Sequence, residues 1–413
     1  MEQAGLTSAE LAELKEAVRS RLSWDREVSD EDLRKLIEAE LFRTERSRRM
    51  TAAERKASVS RLFHAFRGLD ALQPLLDDED VSEIMVNAHD EIYIERKGEL
   101  RRVPVGFESA ERLEDLIHAI VGQVNRMVNE SSPIVDARLA DGSRVHVVLP
   151  PIALKGPTVT IRRFPRHPLG IRELIAIGAL TEEAASFLRS MVEAKYNVFV
   201  SGGTGSGKTT FLNALSQWIG ADERVITIED SAELQIRGVP NLVSLETRNA
   251  NSEGKGAIGI RDLIRASLRM RPNRIIVGEV RGAEALDMLQ AMNTGHEGSL
   301  STGHANSARD MMSRLETMVL SGADLPIPVI RQQIASALDI VVQLSRYRDK
   351  SRRVAEICEV TGLREGAVEL STLFRFEEEG EADGRIVGRL RRVNELTGVA
   401  KLRHAGLEKG AAS

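Results

Sequence analysis

Gly202-Gly203-Thr204-Gly205-Ser206-Gly207-Lys208-Thr209 is the stretch on which the reading of this chain turns. It has the form G-x-x-x-x-G-K-[ST], and its flanks are those the form requires. Asn197-Val198-Phe199-Val200 reads as a buried strand before it, and Thr209 to Trp218 as an amphipathic helix after it. Glycines let successive backbone N–H groups curl around a phosphate without Cβ clashes. A helix starting near Gly207 adds the positive end of its dipole. Lys208 can then reach the β- and γ-oxygens of ATP or GTP, while the Thr209 hydroxyl, next to Thr210, suits a Mg²⁺ position. Only 11 of the 57 basic residues are lysine, which makes a lysine at this position hard to ascribe to chance. Residues Gly202 to Thr210 are therefore the candidate nucleotide contacts.

Downstream the pattern alternates. Strand Arg224 to Ile228, helix Gly259 to Arg269, strand Arg274 to Val277 and helix Ala283 to Met292 predict an α/β domain with a doubly wound parallel sheet. Upstream, Val81 to Asn87 and Glu91 to Glu95 read as strands, with a turn at Lys97-Gly98-Glu99. A helix is predicted over Ala110 to Val128, two short strands around Asp141-Gly142, and another strand at Val159-Thr160-Ile161. This is an α+β domain. Before it, three segments pair a cap residue with an acid three positions on: Thr7 with Glu10, Ser29 with Asp32, and Thr51 with Glu54. An apolar face at helical spacing follows each of them. The expected division is a helical region over 1–68, an α+β domain over 69–163, a linker with two prolines over 164–168, and the α/β domain with a C-terminal extension over 169–413.

Composition bounds the partners. With 42% hydrophobic and 29% charged residues, the balance is that of a soluble globular protein. No run approaches the length of a membrane span. Met1 to Glu10 carries two glutamates and lacks an export signal, so a cytoplasmic chain is expected. The single cysteine, Cys358, cannot form an internal disulfide. A net charge of −5 and an aromatic content of 4% speak against stable nucleic-acid binding.

Two acidic strand ends suit catalysis. Ile275-Ile276-Val277-Gly278-Glu279 would put Glu279 at the carboxyl edge of the sheet, where Mg²⁺ sits. Glycine stands where an aspartate commonly ends such a strand, so Glu279 is expected to act on the metal through water. Ile226-Thr227-Ile228-Glu229-Asp230 offers a carboxylate that could deprotonate an attacking water. Each alone is equally compatible with a solvated acid. His296 and His304 lie in a Gly/Thr-rich run, Gly295 to Ser307, where an imidazole could donate to a phosphate oxygen. Zinc would need further Cys or His ligands at set spacing.

Taken together, the loop at Gly202 to Thr209, Glu229-Asp230, Val277 to Gly282 and Gly295 to Ser307 resemble the secretion-superfamily ATPases of type II and type IV secretion, type IV pili and the archaellum. In that family these segments are called Walker A, Asp box, Walker B and His box. VSEIMVN (Val81 to Asn87), DGSRVHVVLPP (Asp141 to Pro151), TIRRF (Thr160 to Phe164) and TGHANS (Thr302 to Ser307) are most similar to the tight-adherence (Flp) pilus assembly ATPases, the CpaF/TadA type. The likeness runs from Leu69 to about Gly398.

The resemblance implies a PAS-like N-terminal domain and a RecA-like motor domain, with ATP and Mg²⁺ as ligands. It further implies a homo-hexamer at the inner face of the cytoplasmic membrane, working against inner-membrane platform proteins. Residue by residue, Glu229 would be the general base and Glu279 would hold Mg²⁺ through water. His296 and His304 would sense the γ-phosphate. Arg144 and Arg162 would reach the phosphates from the N-terminal domain, with Arg138 and Arg163 as neighbours that could substitute. Relatives with a four-cysteine zinc element are disfavoured, because this chain has one cysteine. The rival readings are a conjugation-type secretion ATPase, a RecA-like DNA translocase, and a nucleotide switch that turns over little.

Overall fold

The computed structural model describes residues 6, 8–22, 28–124, 126–164, 168–250 and 254–407. The chain divides into two compact units, Met1–Arg166 and His167–Ser413. Thr7 and the linker residues Pro165, Arg166 and His167 lie outside the described residues, so neither the first expected cap nor the linker is observed.

In the first unit, helices Ser8–Arg21, Asp30–Arg43 and Ala52–Arg67 gather Leu11, Leu14, Val18, Leu33, Ile37, Leu41 and Leu62 into one apolar cluster. Two of the expected caps form. Ser29 Oγ accepts from Asp32 N at 3.1 Å, and Thr51 and Glu54 make a reciprocal capping box.

The same unit holds a fully antiparallel sheet. Its strands are β1 (Val81–Ala88), β2 (Glu91–Arg96), β3 (Glu99–Val103), β4 (Ile134–Arg138), β5 (Arg144–Val148) and β6 (Thr158–Arg162), in the order β3-β2-β1-β6-β5-β4. Helix Ala110–Gln123 covers one face with Leu113, Leu116, Ile117 and Ile120. It ends earlier than its apolar spacing predicted. The Val124 N–H turns back to Gly122 and Val121, and Val128 joins the core from beyond the helix.

The second unit is built on nine strands: β7 (Val198–Gly202), β8 (Arg224–Glu229), β9 (Asn241–Glu246), β10 (Arg274–Val280), β11 (Leu300–Gly303), β12 (Ile340–Arg346), β13 (Arg352–Arg364), β14 (Ala367–Ala382) and β15 (Arg385–Arg392). Their order is β15-β14-β13-β12-β7-β11-β10-β8-β9. The six strands from β12 to β9 are parallel, as the strand–helix alternation predicted. Every residue of β7 is buried because helices cover both faces. On one face, Val198 and Val200 meet Phe187, Leu188, Phe211 and Leu212; on the other, Phe199 meets Val277, Leu289 and Met311.

Beyond β12 the sheet continues as an antiparallel meander, β13 to β15. Its hairpins turn at Glu365-Gly366 and Asp383-Gly384, where both residues of each pair have positive φ. The parallel part matters most for the site. In such a sheet all strands point the same way, so every loop leaving a carboxyl end opens on one edge.

Candidate nucleotide site

Four loops leave the carboxyl edge together: Gly202–Lys208 after β7, the segment after Glu229 in β8, the end of β10 at Glu279, and His304 after β11. The first is wound tightly. Gly205 and Gly207 have φ of +71° and +96°, a region that favours glycine. A methyl group on Gly202 would meet Ser206 Oγ at 2.5 Å and Leu344 O at 2.7 Å, so this position has no room for a side chain. Helix Lys208–Ser216 begins directly after Gly207, with its first N–H groups on the loop side. Lys208 is buried, and its Nζ donates to the carbonyls of Gly202 and Gly203, each at 3.1 Å.

His304 joins this loop to β10. Its Nδ1 lies 3.2 Å from Lys208 Nζ and its Nε2 lies 2.6 Å from Glu279 Oε1. Lys208 can only donate, so Nδ1 is the acceptor and Nε2 carries the proton of a neutral ring. Burial lowers the His304 pKa below the ordinary value, the Glu279 charge works against that, and Lys208 adds to it. The Nε2–Oε1 approach is close but off-line for a hydrogen bond. Glu279 Oε1 is thus buried without a hydrogen-bond donor among the described residues. A carboxylate oxygen so placed fits a water or metal-bound water. Glu279 Oε2 accepts from Arg281 at 2.7 Å, and this bond raises the Arg281 pKa.

Glu229 is held differently. It is 4% exposed, and its Oε1 accepts from the backbone N–H of Glu233 at 2.9 Å and of Leu234 at 3.0 Å. Burial pushes its pKa up to about 7 despite those two bonds. The glycine at position 278 now has a reason. A methyl group there would meet Glu229 Cγ at 2.8 Å, so Gly278 is the floor over which the Glu229 side chain lies. Thr302 Oγ1 fixes that floor by donating to Gly278 O at 2.7 Å.

Thr209 Oγ1 lies 3.4 Å from Glu233 Oε2, so a hydroxyl and a carboxylate meet beside the loop. Among the described residues no cluster of three or more His, Cys, Asp or Glu is arranged to hold a metal ion alone. Thr209 and water-linked Glu279 fit Mg²⁺ that shares its coordination with phosphate oxygens. Glu233 and Arg281 were missed by sequence reasoning. Their only signal is position, four residues after Glu229 and two after Glu279.

Two of the expected residues are placed apart from the loop's contacts within the chain. His296 precedes β11, and Ser299 is level with Asn197 at the start of β7, since Ser299 O accepts from Val198 N at 3.1 Å. His296 therefore sits at the opposite edge of the sheet from Lys208. Its Nδ1 lies 3.2 Å from Ala291 O at the end of helix Glu284–Asn293. Within one chain the structure brings His304 to the loop and not His296.

The second is Arg163. Its guanidinium donates to the carbonyls of Asp78 and Val81, holding the first unit's own backbone. Arg138, Arg144 and Arg162 are directly opposite one another across β4, β5 and β6, on the face away from the core. Arg144 lies 3.8 Å from Asp136, and Arg162 lies 3.8 Å from Glu83.

The fold and the loop define a RecA-like P-loop nucleotide-binding chain of the secretion-ATPase kind. Residues 66–400 match the family model described as type II/IV secretion system protein, and the chain belongs to that family. A Mycobacterium tuberculosis protein named for conjugal transfer is 37% identical over 317 residues, which cover 75% of this chain and 89% of that one. The type IV secretion system protein PtlH of Bordetella pertussis is 35% identical over 338 residues, covering 76% of this chain and 98% of PtlH. Among solved structures, the Legionella pneumophila ATPase DotB shares the fold, with a TM-score of 0.51 at 21% identity over 70% of this chain and 79% of DotB. No described helix is long and apolar enough to cross a membrane.

Proposed function

We propose that the chain is a homo-hexameric motor that hydrolyses ATP to drive assembly of a tight-adherence pilus from the cytoplasmic face of the inner membrane. The observation that carries the hydrolytic reading is the Lys208–His304–Glu279 chain of contacts beside a buried Glu229 whose pKa is about 7. A carboxylate that ionises near neutral pH suits a general base. In this reading Glu229 takes the proton of the attacking water, its Oε1 kept in place by the Glu233 and Leu234 amides. Lys208 would exchange its loop carbonyls for phosphate oxygens, and neutral His304 would keep Lys208 and Glu279 in register. Bound Mg²⁺, held by Thr209 and through water by Glu279, would supply positive charge to the phosphate oxygens.

Arg144 and Arg162 would act by closure of an N-terminal unit over a motor unit. Like charges set directly opposite on a sheet are destabilising, so a row of three arginines suits a surface that meets an anion. The test is to measure ATP affinity, ring mass and turnover on the same preparations of Arg144→Ala and Arg162→Ala. Both variants are expected to bind ATP and form rings while losing most hydrolysis. Retained turnover would sink the closure, and a fully active monomer would sink the ring.

The pilus assignment is supported by VSEIMVN, DGSRVHVVLPP, TIRRF and TGHANS. A second reading, a conjugation-type secretion ATPase, is favoured by the names of the relatives at 35–37% identity. Replacing the chromosomal copy with Glu229→Gln separates them. Loss of surface pili supports the first reading, and loss of conjugal or effector transfer with pili intact supports the second.

A further inference from the structure

The hairpin joining β12 to β13 carries four arginines in a short span, and their surroundings divide them. Arg348 is clamped by Glu378 and Glu381, and Arg353 reaches Asp349, the Ser351 hydroxyl and Ile386 O. Arg346 and Arg352 have no carboxylate, hydrogen-bond or ring partner among the described residues, and both are exposed. They are also each other's cross-strand partner, closing the hairpin as a like-charge pair. Such a pair is unfavourable by itself and acquires a purpose when an anion lies between or beside the two charges.

The pair faces the phosphate loop. Arg346 and Arg352 lie on the same sheet face as Leu344 and Val354, the face that packs against Phe211 and Leu212 of the helix following the loop. A methyl group on Gly205 would lie 4.0 Å from Arg346 Nη1, and one on Gly207 would lie 3.7 Å from Arg352 Cδ. Both contacts fall on the two left-handed glycines of the loop. These two positions set the Arg346 and Arg352 side chains beside the backbone that cradles phosphate.

We infer that Arg346 and Arg352 form a second cationic wall of the nucleotide site, contributed by the same chain, that holds the polyphosphate of a nucleoside di- or triphosphate against the loop. The inference rests on the loop being the nucleotide site. The wall explains why these two arginines lack the acidic partners that Arg348 and Arg353 have. Guanidinium suits the role because its rigid planar fork matches two phosphate oxygens at once, whereas an ammonium acts as a compact point charge.

The test uses the full-length chain and two probes, ADP and inorganic tripolyphosphate, with binding followed by calorimetry at two salt concentrations. Arg346→Gln/Arg352→Gln is expected to weaken both probes about 10- to 100-fold and to flatten the salt dependence, the scale of losing charge-assisted bonds. Arg346→Lys/Arg352→Lys should recover only part of the loss. Arg348→Gln, on the same exposed turn, should leave binding unchanged and reports on hairpin integrity. Unchanged affinity for both probes in the double Gln variant would overturn the wall. Weakened ADP with unchanged tripolyphosphate would overturn it as well, by placing the arginines on the base or ribose. Lys208→Ala separates the two levels. If it still binds both probes, the loop assignment itself has failed, whereas loss there with no effect at Arg346 and Arg352 removes only this inference.

Discussion

The two edges of the parallel sheet in the second unit are built on opposite terms. At the amino edge, charges are matched. Arg274 is 1% exposed, and its guanidinium meets both Glu223 oxygens at 2.8 and 2.7 Å, Val192 O at 2.8 Å and Gly298 O at 3.2 Å. Burial works to raise the Glu223 pKa, but Arg274, helped by Lys195, holds it below the usual carboxylate range. At the carboxyl edge the matching is incomplete. Among the described residues, Glu279 Oε1 has no donor and Glu229 is buried without a cation, and His304 is held neutral between Lys208 and Glu279. The first edge locks the β7, β10 and β11 ends together. The second leaves groups whose charge a ligand could answer.

Breaking the amino edge should affect stability first. Arg274→Ala leaves Glu223 buried against only Lys195, and removing one partner of a buried pair destabilises by about 3–5 kcal/mol. Thermal unfolding should show a lower midpoint, and nucleotide affinity in the remaining folded fraction should be near wild type. A stable Arg274→Ala variant that fails to bind nucleotide would reverse the roles of the two edges.

Glu229 gives the opposite signature. Its folded pKa of about 7 lies above the ordinary 4.5, so the folded state binds its proton more tightly than the unfolded state does. Stability from this group is full below pH 4.5 and is lost as pH rises through 7, by on the order of 3 kcal/mol. Glu229→Gln cannot ionise. Without nucleotide it should therefore gain stability relative to wild type as pH rises across that window, measured by denaturant midpoints. A difference independent of pH would show that Glu229 is ionised throughout.

The two histidines sharpen the comparison with smaller effects. His304→Ala removes the link between Lys208 and Glu279 and should lower kcat by about 10- to 100-fold, while His296→Ala should change it by no more than about twofold. His296→Ala should instead cost about 1 kcal/mol for its lost bond to Ala291. Equal losses of kcat in both variants would place His296 in the chemistry through a neighbouring subunit.

The site was readable in the sequence where chemistry fixes spacing. Gly202 to Thr209 announces itself because backbone donors, lysine and hydroxyl must sit at set intervals. The acids at Glu229 and Glu279 were readable as strand ends. Gly278 was not, because its reason is the side chain of a residue almost fifty positions earlier on a neighbouring strand. The two histidines looked alike in one Gly/Thr-rich run, yet β11 passes between them and carries each to a different edge. The meander turning at Glu365-Gly366 and Asp383-Gly384 was left unread, as part of a C-terminal extension. Arg346 and Arg352 could not be singled out from 46 arginines by sequence, since only the pairing of their neighbours sets them apart.

The most direct test of the carboxyl edge as a hydrolytic site is steady-state ATP turnover of wild type and Glu229→Gln from pH 5.5 to about 9, with ATP affinity measured alongside. The wild-type rate should rise as pH passes about 7, following ionisation of Glu229. Glu229→Gln should still bind ATP but turn over about 10²-fold more slowly or worse, without that rise. A Glu229→Gln chain that hydrolyses ATP at the wild-type rate, with the same pH profile, would contradict the assignment.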